Sequence, residues 1–360
     1  MSDQWNDQPV STRKGEELDA QKLSDFLAPH LDVPNLALEI KQFPGGYSNL
    51  TYALSVGDQN WVLRRPPIGA NIKSGHDMSR EFRILSALDG YYPKIAKPVV
   101  YSDDLSIMGC PFYVMERVSG VILRPNMPKE MSPSPELMGG IATAWLDTLV
   151  ELHQVDFENA GLGELGRPEG YVQRQVEGWG KRYFNAKTDE VPKLESALKW
   201  LESNLPSESS IALIHNDFKC DNLVLDSNDW TNVRAVLDWE MATIGDPLMD
   251  LGTSIGYWVN HDDPDFMVQM KLSPTHLSGN PKRGDIIHQY ALKSGNDITN
   301  PVFIYVYGLF KIAVIAQQIY ARYKQGFSKD PRFAALIDGV RAMGEMADRA
   351  IERNKVDDLF

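Results

Sequence analysis

Short apolar runs with strand-like alternation dominate the first third of the chain, and helical spacing dominates the rest. Five apolar runs predict five strands. They lie at 37–43, 49–56, 61–65, 97–101 and 111–115. A helical pattern of leucines precedes the first run, and another covers 76–88. This order predicts a leading helix followed by an antiparallel sheet of five strands.

From about residue 134 onward, apolar residues recur at helical spacing and predict a mainly helical second part. The predicted helices lie at 134–153, 191–204, 246–259, 283–294, 301–325 and 331–353. The most apolar stretch, 301–320, is interrupted by Lys311 and by a pair of glutamines, so we expect a buried helix and not a membrane span. We therefore predict an α+β chain with an N-lobe at 1–115, a hinge at 116–120 and a helical C-lobe at 121–360.

The stretch 213–250 places polar residues directly after apolar, strand-like runs. Asp217 follows the first run, Asn222 comes five residues later, and a further run ends at Asp238. Phosphoryl transfer to a hydroxyl needs such a set of side chains. We expect Asp217 to orient the hydroxyl and accept its proton, while Asn222 and Asp238 hold Mg²⁺ on the phosphates of ATP. The alternative is a hairpin with solvated turn carboxylates.

The sequence HNDFKCDN at 215–222 matches the kinase catalytic-loop pattern H-x-D-x-x-x-x-N. The stretch resembles the aminoglycoside phosphotransferase and choline kinase-like family more closely, because Asp-Trp-Glu at 238–240 and Gly-Asp-Pro at 245–247 match that family. The resemblance covers about 35–325. It is closest to phosphotransferase-like domains found alone in bacteria or fused to acyl-CoA dehydrogenases. It implies a bilobal protein kinase-like fold and ATP-dependent phosphorylation of a small-molecule hydroxyl.

The resemblance also implies roles for residues around the catalytic loop. Lys219 stands where protein kinases have a lysine that contacts the transferred phosphate. Asn216 replaces the usual glycine, and we expect this change to matter little because the family points that side chain away from the chemistry. His153 is expected to be a structural histidine beneath the loop.

In the N-lobe, the resemblance implies a nucleotide site. Arg64 takes the place of the phosphate-binding lysine, Glu81 is expected to pair with it, and the main chain of Glu116 and Val118 is expected to bind adenine. A glycine pair in the first hairpin allows close approach to a phosphate, although alone it predicts a plain turn. The residues expected at the nucleotide from this hairpin are Gly46, Ser48 and Asn49.

Charge and cysteine content narrow the functional classes. The chain has 36 Lys and Arg against 49 Asp and Glu, a net charge of −13, which argues against general nucleic-acid binding. Two distant cysteines, Cys110 and Cys220, give no metal-ligand or disulfide framework. The polar start shows no secretory signal, so we expect a cytoplasmic protein without a membrane partner. The oligomeric state, monomer or homodimer, stays open.

The acceptor is predicted from two segments, 160–185 and 301–325, that combine basic groups with aromatic residues. Positive charge beside aromatic surface suits an anionic acceptor with an apolar part, and the resemblance points to a hydroxyacyl-CoA. Taken singly, most of these aromatics favour a core position. They are Tyr171, Trp179, Tyr183, Tyr305, Tyr307, Tyr320 and Tyr323. The alternatives are an aminoglycoside kinase, a protein Ser/Thr kinase, and an inactive kinase-like binding module.

Overall fold

The structure is a computed structural model that describes residues 8–31, 33, 37–44, 49–67, 76–125, 132–206, 210–270, 272–328 and 330–360. The chain divides into two compact units. The first unit contains Met1–Ile122, Glu158–Leu162 and Asn222–Met241. The second unit contains Leu123–Phe157, Gly163–Asp221 and Ala242–Phe360. Each unit is built around its own secondary structure.

The first unit contains the antiparallel sheet that the sequence predicts. Its strands are β1 Glu39–Gln42, β2 Leu50–Val56, β3 Gln59–Arg65, β4 Pro98–Ser102 and β5 Phe112–Glu116. They lie side by side in the order β1-β2-β3-β5-β4. Three helices accompany the sheet: α1 Ala20–Leu27, α2 Met78–Leu88 and α3 Leu105–Met108. Aspartates cap α1 and α2, each accepting from backbone N–H groups of the first turn.

Strand β3 shows how the sheet separates its two faces. Leu63 is fully buried in the core that also contains Leu23 and Leu27 of α1. Successive side chains of a strand point to opposite faces, so Arg64 lies on the other face. Its cross-strand neighbours are Thr51 on β2 and Tyr113 on β5, which places it in the interior of the sheet.

A second, smaller sheet in the first unit is the hairpin of β7 Leu223–Leu225 and β8 Val233–Val236. Asn222 precedes β7, and its carbonyl accepts from the Leu237 amide at 2.8 Å. The hairpin therefore holds the residues just before β7 and just after β8 side by side. This hairpin, although it lies within the range 121–360, groups with the first unit.

The second unit is mainly helical, as predicted. Its helices are α4 Pro135–His153, α5 Tyr171–Ala186, α6 Pro192–Ser203, α7 Pro247–Gly256, α8 Asp265–Gln269, α9 Arg283–Ser294, α10 Pro301–Lys324 and α11 Leu336–Arg353. The helix expected at 246–259 ends at Gly256, and the one expected at 331–353 begins with a 3-10 turn, Pro331–Ala335. A short strand β6, Ala212–Ile214, pairs antiparallel with β9, Thr243–Gly245, which the sequence pattern did not predict.

Helix α10 is long and apolar enough to cross a membrane by length and composition, and 78% of its most apolar window is buried within the protein. It packs against α5, α6, α7 and α11. Its contact with α7 is made at two glycines, because a Cβ on Gly308 would overlap the Gly252 carbonyl. The two helix backbones can approach this closely only with glycine at that crossing.

Candidate active site

An ionic cluster on the sheet of the first unit is centred on Arg64. Its Nη1 donates to Glu81 Oε1 at 2.6 Å, and its Nη2 donates to Asp238 Oδ1 at 2.9 Å. Glu81, in the first turn of α2, is 1% exposed. Burial raises the pKa of Glu81, the Arg64 charge acts against that rise, and the net pKa lies above its ordinary value. The predicted ion pair between Arg64 and Glu81 is thus present and buried.

Asp238 follows strand β8 in the left-handed region, with φ of 69°. A non-glycine residue in this region is uncommon, although aspartate tolerates it better than most. The indole of Trp239, which is buried, donates to the Val236 carbonyl and fixes the turn. The Asp238 side chain keeps 34% of its surface exposed while it contacts Arg64. One carboxylate is therefore held in place with much of its surface still open.

Glu240 connects this cluster to the end of the first hairpin. Its Oε2 accepts from Asn49 Nδ2 at 2.9 Å and lies 3.6 Å from Arg64 Nη2. The Asn49 amide oxygen is 3.0 Å from His76 Nδ1, and Arg80 donates to the Glu240 carbonyl. Asn49, expected at the nucleotide, thus has both ends of its amide in contact with protein groups. The sequence signals did not point to Glu240 or His76 as its partners.

Two other residues expected at the nucleotide from the glycine pair, Gly46 and Ser48, lie outside the described residues. In the hinge, the Glu116 amide donates to the Lys97 carbonyl, and its side chain is exposed. Val118 is half-buried. The structure fixes the path of this segment, and the role of its main chain at adenine stays a prediction.

The catalytic loop of the second unit is held from below by Asp250 of α7, which is fully buried. Its carboxylate accepts from the amides of His215 and Asn216, both at 2.7 Å. It also lies 3.1 Å from His153 Nε2. Burial alone would raise the pKa of Asp250, but the His153 hydrogen bond and charge outweigh it, and the pKa is lowered. His153 is therefore structural in its contacts, as predicted.

The backbone of Asn216 is in the left-handed region, with φ of 67°, and its side chain makes hydrogen bonds. The amide oxygen of Asn216 accepts from Lys311 Nζ at 3.0 Å, and its amide nitrogen lies 3.2 Å from the Tyr171 hydroxyl. The side chain at 216 thus joins α5 and α10 to the loop, a contact that glycine could not make. The expectation that the change from glycine matters little stays untested. A remote lysine partner could not be found from local sequence.

Asp217 lies between two side chains that contact its two carboxylate oxygens separately. Lys219 Nζ is 2.9 Å from Oδ2, and the Tyr257 hydroxyl donates to Oδ1 at 3.0 Å. Lys219 also lies over the Tyr257 ring, 5.0 Å from its centroid. Burial would lower the pKa of Lys219, but Tyr257 and Asp217 raise it well above its ordinary value. The structure brings Asp217 and Lys219 together, and it adds Tyr257, which the sequence did not single out.

The two predicted metal ligands, Asn222 and Asp238, both belong to the first unit and flank the hairpin of β7 and β8. Asn222 is 8% exposed and precedes β7, and Asp238 follows β8. Within the described ranges, no group of three or more His, Cys, Asp or Glu side chains forms a cage for an ion. A carboxylate and an amide suit Mg²⁺, which keeps several waters and takes further oxygens from phosphates. Three carboxylates near Arg64, from Glu81, Asp238 and Glu240, add the negative charge that a cation would offset.

The aromatic residues expected to face the acceptor are mostly core residues. Tyr171, Trp179, Tyr183, Tyr305 and Tyr307 are all buried, none more than 6% exposed. Lys311, expected as part of a basic surface, is 1% exposed. These five aromatics and Lys311 therefore give no support to an anionic acceptor, because they belong to the packing of α5 and α10.

The sheet, the helical second unit and the polar loop agree with the class of protein expected from the sequence, the phosphotransferases. Residues 39–273 match the sequence model of the phosphotransferase enzyme family, APH. The chain belongs to this family, and the predicted kinase-like fold, with its antiparallel N-terminal sheet and helical C-terminal part, is confirmed.

Particular relatives fall into two groups. Acyl-CoA dehydrogenase family member 11 of Rattus norvegicus is 34% identical over 318 residues, covering 86% of this chain and 40% of the relative. Family member 10 of Mus musculus is 34% identical over 303 residues, covering 83% of this chain and 28% of the relative. The chain thus spans two fifths or less of these curated relatives. A provisionally assigned aminoglycoside phosphotransferase from Ralstonia eutropha JMP134 has a solved structure with 30% identity and a TM-score of 0.79, covering 94% of this chain and 99% of that one.

Proposed function

We propose that the chain transfers the γ-phosphoryl group of ATP, with Mg²⁺, to a hydroxyl group of a small molecule. The observation that supports this best is the setting of Asp217. Its carboxylate is half-buried and fixed by Lys219 and Tyr257, and the loop beneath it is fixed by Asp250. A positioned carboxylate that can accept a hydroxyl proton is what a kinase requires of its own side chains.

In this proposal Asp217 hydrogen-bonds the acceptor hydroxyl and takes its proton as the phosphoryl group is transferred. The Lys219 ammonium contacts Asp217 at 2.9 Å and offsets negative charge that develops during transfer. Tyr257 keeps the carboxylate from rotating, since it donates to the other oxygen. Each of these groups is already placed, so little reorganisation is needed at the moment of reaction.

The first unit supplies the proposed nucleotide contacts. Arg64 binds phosphate oxygens, with Glu81 holding its guanidinium from the far side. Asn222 and Asp238 hold Mg²⁺, which when bound neutralises phosphate charge. The Glu116 carbonyl and Val118 amide bind adenine.

For the acceptor, we propose a hydroxyacyl-CoA. The support is the similarity to acyl-CoA dehydrogenase family members, which covers most of this chain. When an enzyme domain is joined to an acyl-CoA dehydrogenase, the covalent link raises the effective concentration of acyl-CoA thioesters near that domain. The buried aromatics of α5 and α10 do not contribute to this proposal.

The second candidate is an aminoglycoside kinase, favoured by the assignment of the Ralstonia eutropha protein. A protein Ser/Thr kinase is less well supported, because the chain goes from Asp238 to Gly245 within a few residues and leaves little room for an activation segment. An inactive module is disfavoured because Asp217, Asn222 and Asp238 are all retained.

An acceptor panel separates these candidates. Purified chain, ATP and Mg²⁺ are incubated with a medium-chain hydroxyacyl-CoA, the matching acyl-CoA without the hydroxyl, kanamycin, or a general protein-kinase substrate, and ADP release is measured. We expect release above background with the hydroxyacyl-CoA alone. Turnover of kanamycin with no response to either thioester would establish the aminoglycoside kinase instead. Equal release with both thioesters would mean hydrolysis and not transfer to the hydroxyl.

A further inference from the structure

Lys311 lies near the middle of α10 and is 1% exposed. Its Nζ donates to the Asn216 carbonyl at 2.7 Å, to Asn216 Oδ1 at 3.0 Å and to Thr253 Oγ1 at 3.3 Å. An ammonium group has three N–H donors, and these three acceptors match them. Burying a cation costs free energy, even when it is hydrogen-bonded. A lysine at this position therefore indicates contacts that an apolar residue could not make.

The contacts converge on the peptide that precedes Asp217. The Asn216 amide donates to Asp250 at 2.7 Å, and the Asn216 carbonyl accepts from Lys311, so α7 and α10 hold this residue at both its backbone groups. Asn216 is left-handed, which costs free energy for any residue except glycine. Because the carbonyl of Asn216 belongs to the peptide bond of Asp217, its orientation sets the direction in which the Asp217 side chain leaves the loop.

Helix packing places Lys311 rigidly. Helices α7 and α10 touch at Gly252 and Gly308, where a Cβ on either glycine would overlap the other helix. Thr253 and Lys311 lie one and three residues beyond this crossing. The lysine is thus fixed by the close approach of two helix backbones and is not a mobile arm.

We propose that Lys311 is a positioning residue for phosphoryl transfer, which holds the Asn216 peptide in the left-handed conformation that aims Asp217. The inference rests on the proposed role of Asp217 as the base. It also explains why an asparagine is suited to position 216. Its amide oxygen gives the ammonium a second acceptor, which glycine could not provide.

The electrostatic surroundings of Lys311 indicate that its ammonium group positions the loop and does not stabilise the fold. Asp250, on α7, and Asp217 favour the ammonium form of Lys311, whereas burial and Arg182, on α5, oppose it. Burial is the largest of these effects, and the pKa of Lys311 is lowered to about 8. A lysine whose pKa is lower in the folded than in the unfolded protein costs stability at neutral pH, and this cost shrinks as the pH rises through 8.

The test replaces Lys311 with methionine, which keeps length and removes all donors, and with glutamine, which keeps an amide donor. Lys324→Met, on the same helix but exposed and paired with Asp189, is the matched control. We expect Lys311→Met to lower kcat about a hundredfold, the scale of a small misplacement of a catalytic group. The KM for ATP should stay within about twofold, because uniform nucleotide binding is untouched. Lys311→Gln should retain more activity, and Lys324→Met should resemble the wild type.

Two further readouts separate positioning from mere structure. The melting temperature of Lys311→Met should fall by no more than a few degrees, since removing a buried charge offsets the lost hydrogen bonds. The wild-type kcat should decline above a pH of about 8 as the ammonium is lost, and this decline should be absent in Lys311→Met.

Hydrogen–deuterium exchange tests the same idea without any acceptor. Amides of the segment 213–219 should exchange faster in Lys311→Met than in the wild type, while amides of β3 should be unchanged. Unchanged exchange together with a kcat within about twofold of wild type would overturn the inference. So would failure of both variants to fold, since Lys311 would then be structural. If the wild type phosphorylated no acceptor, yet segment 213–219 still exchanged faster in Lys311→Met, the proposed function would be wrong. The role of Lys311 in holding the Asn216 peptide would still stand.

Discussion

Around Arg64, the contacts join charged side chains, whereas the loop around Asp217 is also held through its own backbone groups, in addition to the ion pair of Asp217 with Lys219. Arg64 contacts the carboxylates of Glu81 and Asp238 at 2.6 and 2.9 Å. The catalytic loop instead has two of its amides bonded to the single buried carboxylate of Asp250.

The Arg64 cluster and the loop around Asp217 differ in how freely they can rearrange when a ligand binds. Side-chain ion pairs can exchange partners, so Arg64 and Asp238 can part when phosphates and a cation enter. A backbone bonded from both sides keeps its conformation, and that favours a base whose direction is set in advance. The ionic cluster is therefore suited to binding, and the clamped loop is suited to the chemical step.

The largest expected effect belongs to the loop. Asp217→Asn keeps the size of the side chain but loses the proton acceptor and one of the two oxygens that contact Tyr257 and Lys219. We therefore expect kcat to fall by roughly 10²–10⁴-fold with nearly unchanged ATP affinity. Steady-state kinetics and calorimetric titration with Mg·ATP measure the two parts. If the nucleotide affinity fell as much as kcat, the division between a binding region and a catalytic region would be wrong.

The next effect concerns the metal ligands of the first unit. Asp238→Ala should abolish Mg²⁺-dependent nucleotide binding while leaving the protein folded, as judged by its unfolding transition. Asp238→Asn is the matched control for backbone strain, because asparagine tolerates the left-handed conformation while lacking the charge. Calorimetry that shows normal Mg·ATP affinity in Asp238→Ala would remove this residue from the metal site.

A smaller effect is expected from the pair of Arg64 and Glu81. Arg64→Gln and Glu81→Gln should each raise the KM for ATP, since the guanidinium binds phosphate only when it is held. The double variant should cost less than the sum of the two, because the side chains act as one unit. Additive effects in this cycle would mean that the two residues act independently. Unfolding of each variant is followed in parallel, because breaking a buried pair also destabilises the fold.

The smallest effect concerns Asp246, which accepts from the Leu248 amide at the start of α7. Burial raises its pKa to about 6, above the 3.8 of an ordinary aspartate. The folded protein therefore binds this proton more tightly than the unfolded chain, and the stability from this group rises as the pH falls from about 6 towards 3.8. Asp246→Asn keeps the cap and should stabilise the protein slightly at pH 7, with less gain at about pH 5. Denaturant unfolding at the two pH values measures this, and an equal or larger gain at the lower pH would contradict the assignment.

Sequence patterns predicted the five-stranded sheet well, because most of its strands contain short apolar runs that end at polar residues. The strand predicted at 49–56 differs from β2, Leu50–Val56, by one residue. Strand β9, Thr243–Gly245, was not predicted, since three residues ending in glycine give too short a pattern for any period to be recognised. Its register comes from pairing with β6, which is a long-range contact.

The candidate site was predictable where residues lie close together in a motif. The predicted pairing of Arg64 with Glu81 is present. The loop pattern singled out both Asp217 and Lys219, which contact each other, although that contact was not itself predicted. Tyr257 and Lys311 could not be assigned, because each reaches the loop from a helix that packs there only in the folded protein. Most of the aromatic residues expected to face the acceptor are instead buried in the packing of α5 and α10. Composition alone does not say whether an aromatic side chain faces a ligand or the core.

The central claim is transfer of phosphate from ATP to a hydroxyl, with Asp217 as the base. Phosphorus NMR of the wild-type chain with ATP, Mg²⁺ and a medium-chain hydroxyacyl-CoA tests it most directly. We expect a new phosphate monoester resonance that grows in step with ADP and is absent with Asp217→Asn. ADP accompanied only by inorganic phosphate, or an ester that forms equally well with Asp217→Asn, would contradict it.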